Sequence, residues 1–132
     1  MSYDPNLREE KSTSEEVKEN NPMKIKAFLL DKLKNEKAFW SYEQSYFTID
    51  SIPDELLIAL TLRHLDLEEI DLLYDIYSPR RIKEAWINQL VPEGDYLRAL
   101  NRFIAWFYFK IKNPDRYLKI LEAKRLNKLL QV

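Results

Sequence analysis

Residues 54–90 read DELLIALTLRHLDLEEIDLLYDIYSPRRIKEAWINQL, and the helical pattern of the chain is clearest here. Its apolar side chains recur every three or four positions, which is the spacing that gives an α-helix one buried face. Asp66 followed three residues later by Glu69 is typical of a capping box at a helix N-terminus. Ser78 before Pro79 marks a further start, because proline fits the first turn of a helix. The stretch therefore predicts three short helices in succession, joined by tight turns.

The same periodicity extends the helical prediction to both sides of this stretch. Ser51 is placed as the N-cap of the first of the three helices, which ends near His64. Further helices are expected over residues 24–37, 95–112 and 113–130, on either side of a break at Val-Pro-Glu-Gly. Six helices without a convincing strand pattern predict an all-α fold, built as a single compact bundle.

The N-terminal residues differ in composition from the rest of the chain. Residues 1–22 hold six acidic and three basic side chains and almost no apolar ones. Such a segment cannot offset the entropy lost on ordering, so it is predicted to be a disordered acidic tail, with residues 23–132 as the helical domain. The aromatic segment 39–47 is too irregular for a helix. It is either a strap over the core or a binding surface that presents Trp40.

Composition excludes several classes of activity. The 132 residues include one histidine, one glycine and no cysteine. These counts exclude disulfides, thiol catalysis, a His-rich metal centre and a glycine-rich phosphate loop. We therefore expect a protein that is not an enzyme and that needs no cofactor, metal or small-molecule substrate. No apolar run approaches the roughly 20 residues that span a membrane, and no signal-peptide pattern is present, so a cytoplasmic location is expected.

Charge is divided unevenly along the chain. The net charge is −1, yet residues 41–79 carry nine acids and one base, and residues 80–132 carry twelve bases and five acids. In the acidic part, Glu68, Asp71 and Asp75 are spaced to share one helix face. Two interpretations remain open for this face. It is either an ordinary solvated surface or the docking site for a basic partner, namely another protein or a second copy of this chain.

The last predicted helix changes its apolar side part way along. In its first half the apolar side consists of Tyr117, Leu118 and Leu121. In its second half a different side is apolar, formed by Leu126, Leu129 and Leu130. One straight helix cannot dock both sides onto a single flat surface. Either the helix bends near Ala123, or it ends in a frayed segment with loosely packed leucines, or residues 124–132 leave the domain as a tail that binds a partner through Lys124, Arg125 and Lys128.

The fifth predicted helix is apolar on two sides. A helix of this kind is typically the central helix of its own domain, which places Trp106 in the core, as is also expected for Trp86. The alternative is that a second chain covers one of the two apolar sides. The pattern alone does not choose between these interpretations.

DNA binding is the alternative function. The helix that starts at Pro79 follows a tight turn, as the recognition helix of a helix-turn-helix regulator does. Arg80, Arg81 and Asn88 are the candidate DNA contacts on it. Packing within the bundle is the competing interpretation, and the acids on the preceding helix would repel a phosphate backbone.

Residues 38–90 also carry a family resemblance. Phe39-Trp40, the run Leu65-Asp66-Leu67-Glu68-Glu69-Ile70, and then Leu73, Tyr77 and Ile82 resemble a small bacterial all-helical domain family of unknown function. Its members are often encoded beside nucleotidyltransferase-type toxins, so the resemblance implies an antitoxin-like or partner-binding role and no catalytic residue. We accordingly expect a non-catalytic module for protein–protein interaction or regulation.

Overall fold

The computed structural model describes residues 21–36 and 48–131, and these residues form six α-helices, one 3-10 segment and no strand. The helices are α1 Pro22–Asn35, α2 Asp54–His64, α3 Leu67–Ile76, α4 Pro79–Gln89, α5 Arg98–Phe107 and α6 Pro114–Leu130; the 3-10 segment is Val91–Leu97. The prediction of an all-α bundle of six helices is confirmed. Residues 1–20 of the predicted tail and all of the aromatic segment 39–47 lie outside the described residues.

Two of the predicted helix starts are held by the capping side chains that the sequence indicated. Asp66 and Glu69 form the capping box of α3, in which the Asp66 N–H donates to Glu69 Oε1 at 3.0 Å. At the start of α4, Ser78 Oγ accepts a hydrogen bond from the Arg81 N–H at 3.2 Å. Both caps satisfy backbone N–H groups that a helix leaves without an internal partner.

The N-cap expected at Ser51 is wrong. The residue that precedes α2 is Pro53, whose side chain makes no capping hydrogen bond. Ser51 acts one turn earlier, where its Oγ accepts from the Thr48 N–H at 2.8 Å. The serine hydroxyl therefore closes the turn that leads into the helix, because Pro53 already presets the backbone for the helix start.

The core is built around α2, which contacts α1, α3 and α4. Leu57, Ile58 and Leu62 on this helix are fully buried. The neighbouring helices add further buried side chains: Leu29, Leu33, Leu72, Leu73, Ile82 and Trp86. Each such side chain stabilises the fold by about 1.5–3 kcal/mol through removal from water, so these helices form one apolar core.

A buried hydrogen bond joins α4 to α5. The Trp86 indole donates from Nε1 to Asn101 Oδ1 at 2.9 Å, and Asn101 Nδ2 donates to the Leu90 carbonyl at 3.1 Å. The indole also stacks on Tyr117 of α6, with the ring planes 5° apart. Trp86 is therefore a core residue, as expected, and it ties both C-terminal helices to the rest of the bundle.

Helix α5 is shorter than predicted and is buried on only one side. It begins at Arg98 and ends at Phe107, and the chain then turns through Lys110, which has a φ of +56°. Its buried residues are Asn101, Ile104 and Ala105. The prediction that Trp106 belongs to the core is wrong, because Trp106 lies on the opposite side of the helix and is exposed.

Helix α6 is continuous but packs against the bundle only over its first half. Tyr117, Leu118 and Leu121 are half-buried. Every side chain from Glu122 to Gln131 is exposed. The leucines on the second apolar side of the helix, Leu126, Leu129 and Leu130, are therefore exposed, whereas Glu122 and Arg125 line a cavity with Val91 and Pro92 of the 3-10 segment.

Replacement of Asn101 tests the junction between α4 and α5. Asn101→Ala leaves a buried indole N–H and a buried carbonyl without partners, and we expect it to lower the free energy of unfolding by about 3 kcal/mol. Asn88→Ala, on the exposed side of α4, is the matched control and should change it by less than about 0.5 kcal/mol. Urea unfolding measures both variants. Equal effects of the two substitutions would contradict the assignment.

Candidate protein-binding surface

Three aromatic side chains of α5 are exposed beside one another. The exposed fractions are 58% for Trp106, 40% for Phe103 and 38% for Phe107. The centroids of the Phe103 and Phe107 rings lie 5.2 Å apart, and those of Phe103 and Trp106 lie 6.4 Å apart. We name these three residues the aromatic face. Contiguous apolar surface of this kind is typical of binding sites, where tryptophan in particular is enriched.

The aromatic face follows from helical geometry once one side of α5 is buried. Residues three and four apart share a side of a helix, so Phe103, Trp106 and Phe107 stand together. Ile104 and Ala105 point the opposite way and are buried. The same rotation of α5 that buries one side therefore exposes the aromatic residues.

Acidic side chains line the exposed side of α3. Glu68, Asp71 and Asp75, which we name the acidic row, are all exposed, while Ile70 and Leu73 of the same helix are buried. The ion pairs of the described residues involve Asp54, Asp95 and Asp115, and none of them involves Asp71 or Asp75. The structure thus places the predicted acidic residues together, and it leaves the two aspartates available to a cation from outside.

Two stacked tyrosines connect the aromatic face with the acidic row. The ring of Tyr74 on α3 stacks on that of Tyr108 at a centroid distance of 6.1 Å. Tyr108 in turn meets Phe107 edge to face at 5.0 Å. Burial, together with the charge of Asp71, raises the pKa of Tyr108 to about 12. The same two causes raise the pKa of Tyr74. Asp71 lies three residues before Tyr74 on α3, so the Tyr74–Tyr108 stack joins the helix that carries the acidic row to the aromatic face.

The end of α6 presents a second surface of opposite charge. Lys124, Arg125 and Lys128 are exposed. The apolar residues among them are exposed too, with fractions of 45% for Leu126, 58% for Leu129 and 82% for Leu130. We name residues 124–131 the basic tail. Because a short helix without packing is only marginally stable in water, a segment of this kind gains stability when a partner covers its leucines.

Arg81, a candidate DNA contact, is engaged within the fold. Its Nη2 lies 3.0 Å from Asp54 Oδ2, and its guanidinium lies over the Tyr77 ring. The Tyr77 hydroxyl donates to Asp54 Oδ1 at 2.5 Å, and Lys26 Nζ lies 3.3 Å from the same oxygen. Asp54 thereby connects α1, α2, the end of α3 and α4. Arg81 serves this junction between helices.

The other two candidate DNA contacts are also exposed. Asn88 and Arg81 line the same cavity of about 150 Å³ between α2 and α4, together with the carboxylates of Glu55 and Glu84. Arg80 is exposed in the first turn of α4. The carboxylates of the cavity would repel a phosphate backbone at this position.

Among the residues that the structure describes, no group of three His, Asp or Glu side chains is arranged to hold a metal ion. Burial, together with Arg63, lowers the pKa of His64 below its ordinary value of 6.5, which favours the neutral imidazole. The described helices include none that is long and apolar enough to cross a membrane.

Comparison of the chain with protein-family models, with curated proteins and with solved structures found no match. The resemblance of residues 38–90 to a toxin-associated helical family therefore stays a prediction.

The Asp54 junction predicts a pH-dependent loss of stability. The hydrogen bond from Tyr77 lowers the pKa of Asp54 below its ordinary value of 3.8, with Lys26 and Arg81 acting in the same direction against burial. A carboxyl whose pKa is lower in the folded state stabilises that state above its unfolded pKa. This contribution is lost as the pH falls through the folded pKa.

We expect Asp54→Asn to lower the free energy of unfolding at pH 7 by about 1–2 kcal/mol. The difference from the unsubstituted protein should shrink well below pH 4, because the carboxyl is then protonated in both states. Urea unfolding at the two pH values provides the measurement. Asp50→Asn, at an exposed position, is the control. If Asp54→Asn lowers the free energy of unfolding by the same amount at both pH values, the result argues against the junction.

Proposed function

We propose that this protein is a non-catalytic protein-interaction module. Its docking surface is the aromatic face together with the acidic row. The observation that carries the proposal is the continuity of the two through the Tyr74–Tyr108 stack. A partner that covers this surface gains apolar burial from Phe103, Trp106 and Phe107, and meets negative charge along one edge.

The partner that fits this surface is a basic helix with one apolar side. A fully covered aromatic side chain buries about 150–250 Å², and 38–58% of each of these three side chains is still exposed for a partner to cover, so the aromatic face supplies the affinity. The acidic row supplies orientation and speeds the encounter, because complementary charge acts on specificity and association rate more than on affinity. An acidic partner would be repelled at the same edge.

Regulation of transcription through DNA is the weaker candidate. It relies on Arg80, Arg81 and Asn88, and Arg81 forms its ion pair with Asp54 at 3.0 Å. The acidic row on α3, directly before the candidate recognition helix, adds repulsion. These features favour a protein partner over nucleic acid.

Binding of a model helix tests the proposal. We expect a synthetic amphipathic peptide of leucine and lysine to bind, and its counterpart with glutamate in place of lysine not to bind. Trp106→Ser should weaken binding by at least about tenfold, since a central tryptophan typically contributes much of the affinity. Isothermal titration calorimetry at low protein concentration measures the dissociation constants.

Met23→Ser is the matched control, because Met23 is similarly exposed on α1. It should leave binding unchanged. The proposal fails if the glutamate peptide binds equally well, or if Trp106→Ser behaves like Met23→Ser.

A further inference from the structure

We infer that the partner on the aromatic face is the basic tail of a second copy of this chain. This inference rests on the proposed function and names its partner. It follows from charge, from apolar spacing and from the arrangement of the two surfaces on one molecule.

The charges of the two surfaces are complementary. Residues 123–131 contain three basic side chains and no acidic one. Lys124, Arg125 and Lys128 take part in none of the ion pairs formed by the described residues, and the same is true of Asp71 and Asp75. Contact between the tail and the acidic row brings these opposite charges together.

The apolar residues of the two surfaces have the same spacing. The aromatic face uses positions 103, 106 and 107 of α5, and the basic tail exposes leucines at positions 126, 129 and 130 of α6. Both sets follow an i, i+3, i+4 pattern, which is a single stripe on a helix. Two such stripes can pack side by side at the usual distance of about 8–10 Å between helix axes.

The arrangement within one chain points to contact between copies. The aromatic face and the leucines of the basic tail are exposed at the same time, so the tail does not lie on the face of its own chain. Helix α6 already uses its other apolar side, at Tyr117, Leu118 and Leu121, to pack on its own bundle. The contact joins two different surfaces, so it closes as a reciprocal dimer or continues as an open chain.

Cations near the aromatic face set the orientation of the docked tail. Lys110 Nζ lies 5.4 Å from the centroid of the Phe107 ring. Arg102 lies on the same side of α5 as Trp106, and its Nε lies 3.1 Å from Asp115 Oδ1 of α6. Lys110 and Arg102 would both repel the lysines of a docked tail. These lysines therefore face the acidic row on α3 and point away from α6.

Charge reversal in the full-length chain tests the inference. We expect the unsubstituted protein to self-associate with rising concentration, as measured by sedimentation velocity and light scattering. Asp71→Lys with Asp75→Lys should weaken self-association by at least about tenfold, and Lys124→Glu with Lys128→Glu should do the same. Asp31→Lys with Asp50→Lys, at two exposed positions elsewhere, is the control and should have no such effect.

Restoration is the decisive measurement. An equimolar mixture of the two weakened variants, and a single chain with all four substitutions, should associate again, because each then pairs opposite charges. Circular dichroism confirms that every variant is folded. Failure of the fourfold variant to associate, or association of either weakened variant at the level of the unsubstituted protein, would overturn the inference.

The outcome also separates this inference from the proposed function. A protein that stays monomeric at all concentrations, but binds the leucine–lysine peptide through Trp106, has the proposed docking surface and a different partner. That result overturns only the assignment to a second copy. Absence of both self-association and peptide binding overturns the two proposals together.

Discussion

The hydrogen bond between the buried indole of Trp86 and the side chain of Asn101 is the constraint on which the C-terminal half depends. A buried amide must have its partners, and here the two partners are the indole N–H and the Leu90 carbonyl. With Asn101 held in this position, the rotation of α5 about its axis is set. Helical geometry then directs Phe103, Trp106 and Phe107 away from the bundle, so one internal contact determines what the surface presents.

The central helices could be predicted from the sequence because their boundaries depend on local chemistry. Asp66 with Glu69, and Ser78 with Pro79, satisfy helix starts through contacts within a few residues. Helix α5 could not be predicted in the same way, since it is apolar on two sides and periodicity does not say which one is buried. The only indication of the buried side was Asn101, which lies three positions before Ile104. Asn101 is a polar residue, and its burial depends on Trp86, fifteen positions earlier.

The charge pattern was informative at the level of segments but not of single residues. Asp54 and Arg81 come from the acidic and the basic part of the chain, and they form an ion pair with each other where α2 meets α4. Asp115 likewise pairs with Arg102. Sequence position did not distinguish these residues from Asp71 or Lys128, because pairing depends on how α2, α4, α5 and α6 are arranged in space. Only the charged side chains that remain unpaired after folding can form ion pairs with a partner.

The exposed end of α6 has a consequence for the lifetime of the chain. The side chains of its last turns are exposed, so we expect these turns to open more readily than the core, and proteases cleave backbone that opens. Lys124, Arg125 and Lys128 are the residues after which trypsin-like enzymes cut. Under the proposed self-association, an unoccupied copy would be trimmed at this end and a docked copy would be protected, so degradation would select for molecules that are already assembled.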